Sequence, residues 1–334
     1  MATLQRIADE LGVSPSTVSR VVNKKGNVKE STCVRVMEAI DRYNYVPDNA
    51  ARSLKTGQTK TIGVIIPDVT EIFFTNILRS LEKELSNFGY NMLLCISGED
   101  ESKEEFYLNY LTHTLTDGII LATVAESSKP LRKALTLGKK IVCIDNLPGI
   151  TEAYDSVISD NIHASKIAIE HLYTLGHRRI AAIVGKQKET TGIDRLLGYR
   201  KAMQQFGLAV DEELIRYGDY KEQSGRDAMI DLLDKVPDIT AVYVASSKMT
   251  YGAMKAILNQ GKKVSDDISV VGFDIHDLSG LITPGITTIS QNEESIGKLA
   301  SQLVLEHINQ PKNHISRKIV IPPELLIRDS CRHL

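Results

Sequence analysis

The chain has 334 residues, of which 42% are hydrophobic, ample for sizeable cores in two or three domains, and its net charge is −2. No run approaches the roughly 18 apolar residues of a membrane span. Met1 to Arg6 lacks the basic and apolar regions of an export signal, so a cytoplasmic protein with no membrane partner is expected.

From Thr3 to about Arg42 the signals are those of short helices. Leu4, Ile7, Ala8 and Leu11 form the apolar face of a first helix, which Gly12 stops. Ser14 followed by Pro15 is a cap plus a proline at the first helical position, and Val18, Val21 and Val22 give a second helix its face over Pro15 to Asn23. A third helix is predicted over Glu30 to Tyr43, with Val34, Met37 and Ile40 inward. Two short helices about a glycine turn, braced by a third, make the helix-turn-helix pattern. Residues 1–60 also carry ten Lys/Arg against six Asp/Glu, net +4, leaving −6 for the rest. A basic end on an acidic body implies that this end meets a polyanion. The second helix is the one expected in the major groove. Pro15, Ser16 and Arg20 are exposed there, and an arginine can donate two hydrogen bonds to a guanine. A helix-capable segment, 48–54, and a polar linker through Lys60 follow.

From Thr61 the texture changes to apolar strands alternating with amphipathic helices. Strands are predicted at 62–66, 91–96, 118–122, 140–144, 157–159, 179–184, 241–245, 269–273 and 286–290, with helices such as 76–88, 163–175, 193–206 and 292–309 between them. Continuously apolar strands separated by helices imply parallel sheets covered on both faces, and about 270 residues suits two α/β lobes sharing a cleft. Cys33, Cys95, Cys143 and Cys331 have no pairing or metal-ligand spacing and read as reduced thiols. The eight histidines show no metal spacing, and the glycine loops of nucleotide enzymes are missing, so no enzyme, cofactor or metal is expected. Ligands of such sheets bind beyond the carboxyl ends of the strands. Those positions hold Pro67, Asp68, Asp145, Asn146, Asp160, Asn161, Ser246, Ser247 and Asp274, each also a plausible cap or turn former.

Three blocks carry a resemblance: Thr3-Leu4-x-x-Ile7-Ala8, Val13-Ser14-x-x-Thr17-Val18-Ser19-Arg20-Val21-Val22-Asn23, and Tyr45-x-Pro47-Asp48-x-x-Ala51-Arg52-x-Leu54. Further blocks follow in the core: Ile62-Gly63-Val64-Ile65-x-Pro67-Asp68, Asp117-Gly118-Ile119-Ile120, Arg195-x-x-Gly198-Tyr199 and Val270-Val271-Gly272-Phe273-Asp274. Over essentially its whole length the chain resembles the lactose-repressor (LacI/GalR) family of bacterial regulators. The resemblance implies a helix-turn-helix head over 1–46, a hinge helix and linker over 47–60, and a periplasmic-binding-protein-like core over 61–334. Within the core it implies a first lobe of about 61–159 and 291–318 and a second of about 160–290 and 319–330. The partners implied are a second copy of the chain, double-stranded operator DNA of pseudo-palindromic sequence, and a carbohydrate-like effector. DNA contacts are implied for Thr3, Leu4, Ser14, Pro15, Ser16, Thr17, Ser19, Arg20, Asn23, Asn49, Ala51 and Leu54, the last as a minor-groove wedge. The hinge segment is too short to be helical unaided and is expected to order on DNA. Effector contacts are expected from Asp68, Phe73, Phe74, Asp145, Asp160, Arg195, Tyr220, Ser246, Phe273 and Asp274. Ser246-Ser247 stands where the family usually has Asn-Asp, Asp145-Asn146 where Asp-Arg is frequent, and tryptophan is absent. These departures favour a sugar phosphate or sugar acid over a neutral sugar. The alternatives are a phosphoprotein coeffector, a core without effector response and, more remotely, a sugar receptor or a cytosolic α/β enzyme.

Overall fold

The computed structural model describes residues 4–22, 26–45, 57–114, 116–126, 128–276, 283–311 and 314–334. The hinge expected at 48–54 lies outside them. The chain forms two compact units, 1–59 and 60–334.

In the first unit, α1 (Leu4–Leu11), α2 (Pro15–Val22) and α3 (Glu30–Arg42) enclose a core of Ile7, Ala8, Val18, Val21, Val36 and Ala39. Gly12 ends α1 at φ +63°, a conformation that costs a Cβ-free residue little. The Ser14 hydroxyl accepts the Thr17 N–H at 3.2 Å and so caps α2. Arg35 donates to the Leu11 carbonyl at 3.0 Å, and Arg42 pairs with Glu10 at 2.9 Å, tying α3 to α1. The inward face of α3 differs from the one predicted. Val34 and Met37 are 52% and 48% exposed, while Val36 and Ala39 are buried, flanked by Cys33, Ile40 and Tyr43. Positions 34, 37 and 40 satisfy helical spacing as well as 33, 36 and 40 do, and only the smaller Ala39 fits against the other two helices.

The second unit contains two six-stranded sheets, each covered by helices on both faces. The first collects β1 (Thr61–Ile66), β2 (Asn91–Ile96), β3 (Gly118–Leu121), β4 (Lys140–Ile144), β5 (Asp155–Ser159) and β11 (Lys318–Ile321) in the order β11-β5-β4-β3-β1-β2, all parallel. Its helices are α4 (Ile72–Asn87), α5 (Glu101–His113), α6 (Lys129–Thr136) and α11 (Glu293–Asn309). The second collects β6 (Ile180–Val184), β7 (Ile215–Tyr217), β8 (Ala241–Val244), β9 (Ser269–Phe273), β10 (Thr287–Ser290) and β12 (Glu324–Leu326) in the order β12-β10-β9-β8-β6-β7. Only β12 runs antiparallel, against β10. Its helices are α7 (Asn161–Thr174), α8 (Thr190–Gln205), α9 (Glu222–Lys235) and α10 (Ser247–Asn259).

Successive residues of one strand enter cores on opposite faces: Ile62, Val64 and Ile66 of β1 join α4 and α11, while Ile65 joins α5 and α6. This two-sided burial is why the strands read as unbroken apolar runs. The chain passes between sheets after β5, after β10 and after β11. The last passage corrects the expected lobe boundary at 318/319. Ile319, Val320 and Ile321 pair with Val157, Ile158 and Ser159 of the first sheet, and Pro322-Pro323, unable to extend the ladder on both sides, precedes β12.

Candidate functional site

In the head, the expected DNA-facing side chains Ser14, Pro15, Ser16 and Arg20 are exposed, with Thr17 and Ser19 partly so. The Ser14 hydroxyl lies 2.7 Å from that of Ser16 and 2.9 Å from that of Thr17, which orders the first turn of α2, where unpaired N–H groups favour an anion. Leu4, at the start of α1, is partly buried against the head's core. Thr3, Asn23, Asn49, Ala51 and Leu54 lie outside the described residues.

In the second unit a cleft lies between the two sheets, beyond the carboxyl ends of their strands, as parallel sheets favour. Pro67 follows β1, Val124 follows β3, Asp145 and Asn146 follow β4, Ser246 and Ser247 follow β8, Asp274 follows β9 and Gln291 follows β10. Glu71, Phe73, Phe74, Glu99, Glu189, Thr191, Arg195, Tyr220 and Phe273 complete the lining. Eight of the ten expected effector residues are therefore brought together. The other two correct the expectation. Asp68 accepts the Thr70 N–H at 2.8 Å and pairs with Lys248 at 2.6 Å, and Asp160 caps α7 by accepting the His163 N–H at 2.9 Å. Glu71, Glu99, Val124, Glu189, Thr191 and Gln291 were not foreseen; all but Gln291, which directly follows β10, lie two or more residues beyond a strand end or in a helix. A larger groove of about 560 Å³ lies beside Arg79, Lys83 and Asn292 and shares Gln291 with the cleft.

Arg195, 5% exposed, is the fixed cation of the cleft. Its Nε donates to Asn161 Oδ1 and an Nη to the Ala245 carbonyl, both at 2.7 Å, and its guanidinium lies 3.7 Å above the Phe273 ring. Two of its five donors are thus engaged and the plane is clamped, leaving the others for a ligand. Asp274 accepts the Gln291 N–H at 3.0 Å and its side-chain amide at 2.7 Å. Burial, with Glu293 nearby, pushes Asp274 up to about 6 despite these bonds. Burial pushes Asp145 up to about 7, against the pull of Arg195. Asp145, Tyr220 and Asp274 all have positive φ, at 64°, 70° and 49°. Three non-glycine residues in the left-handed region around one cleft is a clustering of backbone strain of the kind that functional sites hold. Gly185 lets the Tyr220 ring pack where a Cβ would lie 2.1 Å from it, and the Tyr220 hydroxyl meets that of Thr191 at 2.9 Å.

The lobes are bonded to one another around this cleft. Asn146 Oδ1 accepts from Thr191 N at 3.0 Å and Thr190 Oγ1 at 3.2 Å, and its amide donates to Glu189 at 3.2 Å. On the opposite rim Lys248 pairs with Asp68 and with Glu71 at 3.3 Å, and Ser247 donates to Glu71 at 2.8 Å. Lys186 pairs with Glu99, and Lys188 with Glu101 at 2.5 Å. The space left inside is about 80 Å³, against the roughly 300 Å³ at which small-molecule pockets begin. A ligand therefore enters by moving lobes or side chains. The lining also sets five carboxyl groups, Glu71, Glu99, Asp145, Glu189 and Asp274, against Arg195. Lys186 pairs with Glu99 and Glu189 and Lys248 with Asp68 and Glu71, while Asp145 and Asp274 line the cleft beside Arg195. Burial of these carboxyls sets a cost on a further anion in the cleft.

A helix-turn-helix head on a two-lobed core with a polar interlobe cleft defines a DNA-binding transcriptional regulator with a ligand-binding domain. Residues 3–48 match the bacterial regulatory proteins of the lacI family, and residues 59–329 match the periplasmic binding proteins and sugar-binding domain of the LacI family. The chain belongs to the LacI family. It is 34% identical to the HTH-type transcriptional repressor PurR of Vibrio campbellii, with all of both chains covered. Among solved structures it is similar to the lac repressor dimer bound to operator and the anti-inducer ONPF, with a TM-score of 0.87, 26% identity and 99% of each chain covered. It is also similar to the regulator CelR in its cellobiose complex, with a TM-score of 0.76, 31% identity, and 99% of this chain and 100% of that one covered. Among the described residues no helix is long and apolar enough to cross a membrane.

Proposed function

We propose that the chain is a cytoplasmic, homodimeric transcriptional repressor without enzymatic activity. Its two heads read a pseudo-palindromic operator through α2, and an effector in the interlobe cleft sets its DNA affinity. The effector is a neutral, carbohydrate-like molecule with several hydroxyl groups. The observation that carries this reading is the placement of the clamped Arg195 in one cleft with Asp145 and Asp274 at the strand ends: fixed donors near acceptors suit a hydroxyl-rich ligand, and the surplus of carboxyls disfavours an anionic one. Phe73, Phe74 and Phe273 supply the apolar faces for a sugar ring. The lobe-to-lobe bonds make the core a two-state element, and a ligand that contacts both lobes biases it by its differential affinity for the closed form.

The test is a thermal-shift panel of neutral sugars, nucleosides, sugar phosphates and sugar acids on the full chain. Each hit is carried into operator binding selected from a random DNA pool. A ligand at 100 times its Kd stabilises by about 2.7 kcal/mol, so a shift of several degrees from a neutral sugar is expected, together with altered operator affinity that Arg195→Lys abolishes. A response confined to phosphates or acids would overturn the charge reading, and the absence of any selected palindrome would overturn the DNA reading.

A further inference from the structure

Away from the cleft, at the edge of the first sheet where its parallel strands begin and where the linker enters at Lys60, three distant segments bring two imidazoles onto one carboxylate. Asp155 opens β5, His307 lies in the last turn of α11, and His314 lies in the segment that leads to β11. Asp155 is 0% exposed and the His314 side chain 2%. One Asp155 oxygen accepts the Arg317 N–H at 2.9 Å. The other lies 2.6 Å from His314 Nε2 and 3.4 Å from His307 Nδ1. The two rings are stacked, 3.9 Å apart and 11° from parallel.

Hydrogen bonding alone leaves this cluster incomplete. Among the described residues the buried Nδ1 atoms of both histidines have no hydrogen-bond partner, and no lysine or arginine forms an ion pair with the buried carboxylate. Among the described residues this buried carboxylate meets two imidazoles and a backbone N–H but no lysine or arginine, so it lacks a fixed positive charge. A divalent ion supplies that charge and takes a lone pair from each ring.

We propose that Asp155, His307 and His314 form a binding site for a borderline transition-metal ion of the Zn²⁺ class. The three donor atoms already lie within 4.8 Å of one another. Ligand bonds of about 2.0–2.2 Å in a tetrahedron set donors roughly 3.3 Å apart, close to the present His307–Asp155 spacing. The His314–Asp155 spacing opens by less than about 1 Å to match, and the two stacked rings turn out of parallel so that both in-plane lone pairs reach one ion. Two nitrogens and one oxygen select Zn²⁺, Co²⁺ or Ni²⁺ over Mg²⁺ or Ca²⁺. The partly exposed His307, at 22%, gives the ion a path in and a fourth position for water.

The experiment titrates the metal-free full chain with Zn²⁺ against a chromophoric chelator and records the absorption spectrum with Co²⁺. The expected result is one ion per chain, ligand-field bands without thiolate charge transfer, and a loss of affinity of at least about tenfold in both His307→Ala and His314→Ala. His307→Ala, at a helix end, is the variant that leaves the fold intact by circular dichroism. No binding by the full chain, unchanged binding in both variants, or thiolate bands from the cysteines would each overturn the proposal.

Discussion

Asn146 is the residue whose removal most directly tests whether the core is held shut by side chains across its cleft. It reaches from the end of β4 to the start of α8 and makes three hydrogen bonds there, to Thr191 N, Thr190 Oγ1 and Glu189. Thr191 N belongs to the first turn of its helix and has no acceptor within that helix. Asn146→Ala removes all three bonds in the closed form and none in an open form, where water takes their place. At about 1 kcal/mol net each, the closed form loses roughly 3 kcal/mol, or about 150-fold in its population relative to the open form. The assay is amide hydrogen exchange. Protection of the Thr191 amide is expected to collapse in the variant, while Val64 and Ile183, inside the two sheets, keep theirs. Small-angle scattering of the variant is expected to show a larger core. Unchanged exchange at Thr191 in a folded variant would mean that Asn146 does not hold the lobes together.

Further outcomes follow from the same geometry. Asp145 and Asp274 sit above their ordinary range, so the folded state binds protons that the unfolded chain has released. Their contribution is complete below about pH 4 and is lost as pH rises through 6 to 7. Thermal stability is expected to fall between about pH 4 and 7, and Asp145→Asn to flatten that fall; an unaltered slope would remove Asp145 as its source. Gly252 of α10 faces α9 so closely that a Cβ would lie 2.0 Å from the Glu222 carbonyl and 2.7 Å from Arg226 N. Gly252→Ala must push the two helices apart, at about 1–3 kcal/mol in chemical denaturation, and an unchanged midpoint would contradict that packing. Arg20→Ala is expected to weaken operator binding by about 1–3 kcal/mol if it reads a guanine; an equal loss on unrelated DNA would assign it to phosphate instead.

The fold was legible because its signals are local. Apolar strands, proline-started helices and Gly12 each declare themselves within a few residues, and the strand ends then pointed at Asp145, Ser246 and Asp274 without knowledge of the packing. The same local logic misplaced Asp68 and Asp160, since an aspartate after a strand is equally suited to a ligand and to the N–H groups of the next turn, and both were taken by the turn. What stayed hidden is set by assembly. Asp155 lies some 150 residues before His307 and His314 in sequence, and the parallel pairing of β5 with β11 helps to gather them.

The polarity of the cleft is the instructive case. Two serines where Asn-Asp is usual, with tryptophan absent, argued from sequence for a charged sugar, because the departures remove rigid bidentate partners and a stacking face that a neutral sugar uses. Yet Glu71, Glu99 and Glu189 come from a loop and two helix starts with no apolar run before them, and they convert the same site into an acidic one. Ligand charge is therefore decided by the sum over all segments that reach the cleft, and the paired lysines on its rim decide how much of that sum remains for the ligand. Lys186 and Lys248 spend their charge on closure, so opening the lobes exposes additional carboxyls as well as space. The closed form is thus the less anionic of the two toward a ligand, and a neutral effector can favour closure without competing for the lysines that hold it.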